Sequence, residues 1–65
     1  MLNQLYVIRH RRRMTQTELA KAAGVARSTV CNLENTGRIP SIAVGVRLCR
    51  ALNCRFEEAF PVEVW

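Results

Sequence analysis

The stretch QTELAKAAGVARSTVCNLEN, Gln16 to Asn35, decides the fold, because its spacing describes two short helices crossed at a glycine turn. Leu19, Ala20 and Ala23 fall on one helical face, and Thr15 with Glu18 forms an S/T-x-x-E capping box, so a helix begins near Gln16. Gly24 stands where that helix needs a residue tolerant of positive φ, and Val25 turns its side chain back toward the core. Val30 and Leu33 resume an apolar face. Arg27, Ser28, Cys31 and Asn32 fall on the opposite side, which leaves a row of short hydrogen-bonding groups in solvent. Two helices joined by so short a turn approach only if the contact residue is small, and Ala20 meets that demand.

These residues resemble the helix-turn-helix of the Cro/C1-type (XRE) family of bacterial and phage transcription regulators. The resemblance rests on Thr15-Gln16-x-Glu18-Leu19-Ala20, Gly24-Val25, Ser28-Thr29-Val30 and Leu33-Glu34-Asn35, with Pro40-Ser41 where the family starts its fourth helix. It extends through Leu48, Leu52, Phe56 and Phe60, and so covers nearly the whole chain. It implies an all-α fold, a five-helix lambda-repressor-like DNA-binding domain, with the third helix as the probe of the major groove. By position in the motif, Arg27, Ser28 and Asn32 would meet base edges, and Thr29 would touch a methyl group or bind phosphate. Gln16 would hold a phosphate at the start of the second helix, with Asn35, Thr36 and Arg38 clamping the backbone on the other side. Arg9 and Glu34 resemble the family's structural ion pair, against the alternative of two independent surface charges. Two departures stand out. Ala26 occupies the usual Ser/Thr N-cap position of the third helix, and Cys54 occupies the cap expected for the last helix.

A chain of 65 residues holds one domain, here residues 1–65, and at that size stability is marginal without help such as dimerisation. Its length resembles small stand-alone family members that lack an effector domain. Apolar residues make up 49% of the chain without a run long enough to span a bilayer, and no signal-peptide core follows Met1-Leu2-Asn3. The expectation is a soluble, cytoplasmic protein. The net charge of +5 conceals an asymmetry: residues 1–56 carry +8, and Glu57, Glu58 and Glu63 put −3 at the end. Such a basic body attracts polyanions, although only the motif makes the polyanion DNA.

Cys31, Cys49 and Cys54 have no C-x-x-C pair and no histidine at ligand spacing, so neither a metal site nor any other cofactor is expected. Cys49 reads as a small buried residue on the fourth helix, while Cys31 lies near the proposed DNA face. The chain has no aspartate, one histidine and no glycine-rich phosphate loop, which leaves no catalytic constellation.

In the first helix Leu5, Ile8 and Val7 give an inward face. Arg11, Arg12 and Arg13 follow at its C-terminal end, where they oppose the helix dipole, contact phosphate, or do both. Met14 caps the core, and His10 lies at the surface without a chemical role. Thr36 to Pro40 reads as a loop, Gly37 ends the third helix and Ser41 caps the fourth, which runs to about Leu52 with Ile42, Gly45, Leu48, Cys49 and Leu52 inward. Gly45 implies a close helix contact, and Asn53 can end the helix in a left-handed conformation. Phe56, Ala59 and Phe60 form a last short helix that Pro61 stops. Pro61 to Trp65 alternates like a short strand. Small family members that this chain resembles pair such a tail with the N-terminus, so Met1 to Asn3 is expected to meet Val62 to Trp65 in a small antiparallel sheet, with Val62, Val64 and Trp65 at a two-fold dimer interface. The alternative is a frayed end with Trp65 packed on the last helix.

The functional expectation is a sequence-specific regulator of transcription that binds double-stranded DNA as a homodimer. It would repress by occluding a promoter, with palindromic half-sites about 34 Å apart. Two alternatives stand beside it: an antitoxin-like or activating regulator that contacts a protein partner through the surface around Glu18 and Lys21, and a protein-interaction module without DNA binding.

Overall fold

The computed structural model describes residues 3–61, which form five helices: α1 (Leu5–Arg11), α2 (Gln16–Ala23), α3 (Arg27–Thr36), α4 (Ile42–Leu52) and α5 (Phe56–Ala59). Among the described residues there is no strand. The expected pairing of Met1 and Leu2 with Val62 to Trp65 lies outside them. Asn3, the one described partner in that pairing, is instead fully buried with its side chain against the end of α3.

Six of the helix boundaries have a local cause in a cap or a left-handed residue. Thr15 Oγ1 accepts from Glu18 N at 3.0 Å while Glu18 Oε1 accepts from Thr15 N at 2.8 Å, the reciprocal box that starts α2. Ser41 Oγ accepts from Val44 N and starts α4. Glu58 accepts from the backbone N–H of Arg55, which is the N-cap of α5. The cap therefore lies one residue beyond Cys54, because the backbone N–H of Cys54 is spent on the carbonyl of Cys49 in closing α4. Gly24, Gly37 and Asn53 end α2, α3 and α4 in the left-handed region.

The apolar faces meet in one core. Leu5, Leu19, Val30, Leu48, Leu52 and Phe60 are its largest fully buried apolar side chains, with α2 packed chiefly on α3 and α4. Ala20 is buried on the inward face of α2. Gly45 admits α5, since a Cβ there would collide with Cε2 of Phe56 and stand 3.2 Å from Cζ. Two inward assignments and the role of Arg12 are corrected. Val7 is 41% exposed, because the inward stripe of α1 runs through Leu5, Ile8 and Arg9 at i, i+3 and i+4. Ile42 is 68% exposed: it is the first residue of α4, and helical side chains lean toward the N-terminus, which carries it past the end of the core. Arg12 does not simply offset its own helix dipole; its guanidinium donates to the carbonyls of Leu52 (2.9 Å) and Asn53 (3.2 Å) and closes the C-terminus of α4.

Candidate nucleic-acid interface

On α3 the residues Val30 and Leu33 turn inward, so Arg27, Ser28 and Asn32 turn outward; all three are exposed, and their side chains make no hydrogen bond among the described residues. Thr29 is half-buried at the edge of this row. The helix begins at Ala26, whose backbone (φ −73, ψ 147) has N-cap geometry but whose side chain offers no acceptor. The first N–H groups of α3 therefore point outward without a side-chain cap.

The far end of α3 is engaged differently. Thr36 Oγ1 donates to the carbonyl of Asn32 at 2.7 Å and accepts from Arg38 N, so its single proton is committed within the chain. Asn35 Nδ2 lies 3.4 Å from Cys31 Sγ, and both face outward from the same helix. Arg38 is exposed, and its carbonyl accepts from Asn3.

Beneath α3 lies a buried ionic cluster. Arg9 Nε and Nη2 donate to Glu34 Oε2 (2.6 Å) and Oε1 (3.0 Å), a two-pronged pair with side chains only 9% and 4% exposed. Arg9 Nη1 donates to the carbonyl of Met14 at 2.7 Å, and its guanidinium lies 5.5 Å from the centre of the Tyr6 ring. The charge-assisted bonds to Glu34 hold the Arg9 pKa above its ordinary value against the opposing effect of desolvation. Gln16 Nε2 also donates to Glu34 Oε1, at 3.1 Å. A primary amide has two N–H donors, so this bond leaves one of them uncommitted at the start of α2. The cluster thus joins α1, the start of α2 and the last turns of α3 into one rigid base.

Asn3 performs a related task that the sequence reading did not assign. Its Nδ2 donates to the carbonyls of Leu33 (3.1 Å) and Arg38 (3.0 Å), and its Oδ1 accepts from Leu5 N (3.2 Å). An asparagine two residues before the first apolar-periodic position is a helix-start signal, and that signal would have found half of its role. Cys49 is buried, and burial pushes its thiol up to about 12; Cys54 is raised for the same first cause. Among the described residues no group of His, Cys and Glu side chains could hold a metal ion, and no helix is long and apolar enough to cross a membrane.

Five helices with a capped α2, a glycine turn and an outward polar row on α3 define a helix-turn-helix protein. The sequence profile described as Helix-turn-helix matches residues 5–58, and the chain belongs to that family in its XRE type, a family of DNA-binding transcriptional regulators. An uncharacterised HTH-type transcriptional regulator of Bacillus subtilis (strain 168), YgzD, is 30% identical over 63 residues, which is 97% of this chain and 96% of the relative. Two uncharacterised HTH-type transcriptional regulators of Archaeoglobus fulgidus are 40% and 38% identical over 55 residues, covering 80% of this chain and 79% and 78% of their own lengths.

Proposed function

We propose that this protein is a cytoplasmic, sequence-specific repressor that binds a palindromic operator as a homodimer, with α3 in the major groove. The observation that carries the reading is the outward row of Arg27, Ser28 and Asn32, whose side chains make no hydrogen bond among the described residues, on a helix whose inner side is locked by Arg9 and Glu34. Arginine suits the two acceptors of guanine and asparagine suits adenine, each good two-pronged contact contributing about 1–3 kcal/mol of discrimination. Gln16, with its second amide hydrogen, and the exposed Arg38 are the phosphate contacts this placement favours. Asn35 and Thr36 join them, Thr36 by rotating its hydroxyl away from the carbonyl of Asn32. Thr29 serves at the edge of the base-reading row. One module this small buries too little surface for a selective complex, which supports a dimer reading two half-sites; the apolar Val62, Val64 and Trp65 are its assigned contacts.

Selection of bound duplexes from a random pool tests dimerisation and specificity together. The expected product is a site with dyad symmetry whose preference is lost in the R27A/N32A variant while circular dichroism shows an intact fold. An unchanged preference in that variant removes α3 from the role of reader. Absence of salt-dependent binding to any duplex removes DNA from the proposal altogether.

A further inference from the structure

Among the described residues, four helix ends turn through a left-handed residue: Arg13, Gly24, Gly37 and Asn53, with φ of 57, 72, 69 and 54°. Two are glycines, which lack the Cβ that makes this region unfavourable, and the third is an asparagine, the side chain that tolerates it best. Arg13 is the exception. Nothing in its own contacts accounts for an arginine there: the side chain is exposed and makes no hydrogen bond or ion pair among the described residues.

The turn around it is nevertheless fixed on both sides. Arg13 N donates to the carbonyl of His10 (3.0 Å) and Met14 N to that of Arg9 (3.2 Å). Arg12 is tied to the end of α4, and the carbonyl of Met14 accepts from Arg9. Arg9 and Arg12 therefore spend their guanidinium groups inside the protein, and Arg13 alone of these three presents an unengaged cation. It stands three residues before Gln16, the first residue of α2.

We propose that Arg13 is a phosphate-contacting residue, held by a strained turn in front of the start of α2, where it binds the same DNA strand as Gln16. The inference rests on the DNA-binding reading above. A conformation that disfavours its residue, held by neighbours that determine it completely, is the signature of a side chain retained for function rather than for the fold. If the charge served only the C-terminal dipole of α1, its removal would weaken the protein.

The test uses the full chain with R13G, R13N and R13K, each measured for thermal unfolding and for binding by fluorescence anisotropy to operator and random duplex over a salt series. R13G is expected to raise Tm by roughly 4 °C through relief of the turn. It should also weaken binding roughly eightfold per protomer at 0.1 M salt on both duplexes, and lower the slope of log K against log salt by about 0.9 per protomer. R13N should behave alike, and R13K should retain the slope. A lower Tm in R13G, or an unchanged affinity and slope, overturns the proposal. A wild-type chain that binds no duplex overturns the DNA-binding reading and this inference with it, whereas salt-dependent wild-type binding with an unaltered R13G slope overturns this inference alone.

Discussion

Removing the carboxylate of Glu34 should bring the protein close to unfolding. In E34A the Arg9 guanidinium loses its two charge-assisted bonds, at 2.6 and 3.0 Å, and Gln16 loses its acceptor at 3.1 Å. Arg9 is only 8% exposed, so water cannot replace the lost partner and a buried cation is left uncompensated. Breaking such a pair from one side costs about 3–5 kcal/mol. A chain of this length has a total stability of roughly 3–10 kcal/mol at the usual yield per residue. Urea denaturation followed by circular dichroism, with a slope of about 1 kcal/mol/M, should therefore show a midpoint lowered by about 3 M or more. The pair as a unit should matter far less. R9M/E34L replaces both charges with apolar groups of similar reach and leaves only the Met14 carbonyl and the Gln16 amide short of a partner, an expected net loss under about 3 kcal/mol. The decisive quantity is the coupling energy of the cycle. If R9M and E34L are additive, or if E34A costs under about 1 kcal/mol, the claim that this pair is a buried, mutually dependent unit is refuted.

Gly45→Ala should destabilise the protein by about 1 kcal/mol despite its gain in helix propensity, because the new Cβ collides with the Phe56 ring, which lies tilted against Phe60 with ring centres 5.2 Å apart. In an F56A background the same substitution should become stabilising, which equilibrium unfolding of the four variants would decide. Ala26→Ser should add about 1 kcal/mol, since the backbone at Ala26 already has N-cap geometry and lacks only an acceptor; differential scanning calorimetry should record a Tm higher by roughly 4–8 °C. The Cys49 pKa, pushed up to about 12 in the folded chain from an ordinary value of 9.0, makes stability fall with alkaline pH. Between those values the unfolded thiol releases its proton while the folded one keeps it, so the unfolded state binds fewer protons and the contribution, complete below pH 9.0, is lost as pH rises toward 12. Cys49→Ala should show a shallower decline of Tm over that range; an equal slope in both proteins would discount the buried thiol.

What could be read from the sequence, and what could not, follows from the range of the interactions. The α2 capping box and the turn at Gly24 depend on residues within a few positions of one another, and a local pattern carries them. The inward face of α4 was legible in Gly45, Leu48, Cys49 and Leu52 but not in Ile42, since periodicity tells which side a residue faces and not whether a neighbour reaches that far. The roles of Asn3 and Arg12 were hidden for a different reason. They bind backbone carbonyls 30 to 41 residues away, and a carbonyl has no residue identity to recognise.

Those hidden contacts also change what the charge means. Short helices leave a large share of their carbonyls without an intrahelical partner, and this chain meets that need with asparagine and arginine side chains at the ends of α3 and α4, while Arg9 binds the loop carbonyl of Met14. Of the cations in its basic body, Arg9 is neutralised by Glu34 and Arg12 is bound to carbonyls at the end of α4, so neither is available to an external phosphate without loss of structure. The number of counterions released on binding DNA must then be smaller than the charge of residues 1–56 suggests. On the proposed placement it would be set by exposed cations such as Arg13 and Arg27, and a measured salt slope close to the full body charge would contradict this division of labour.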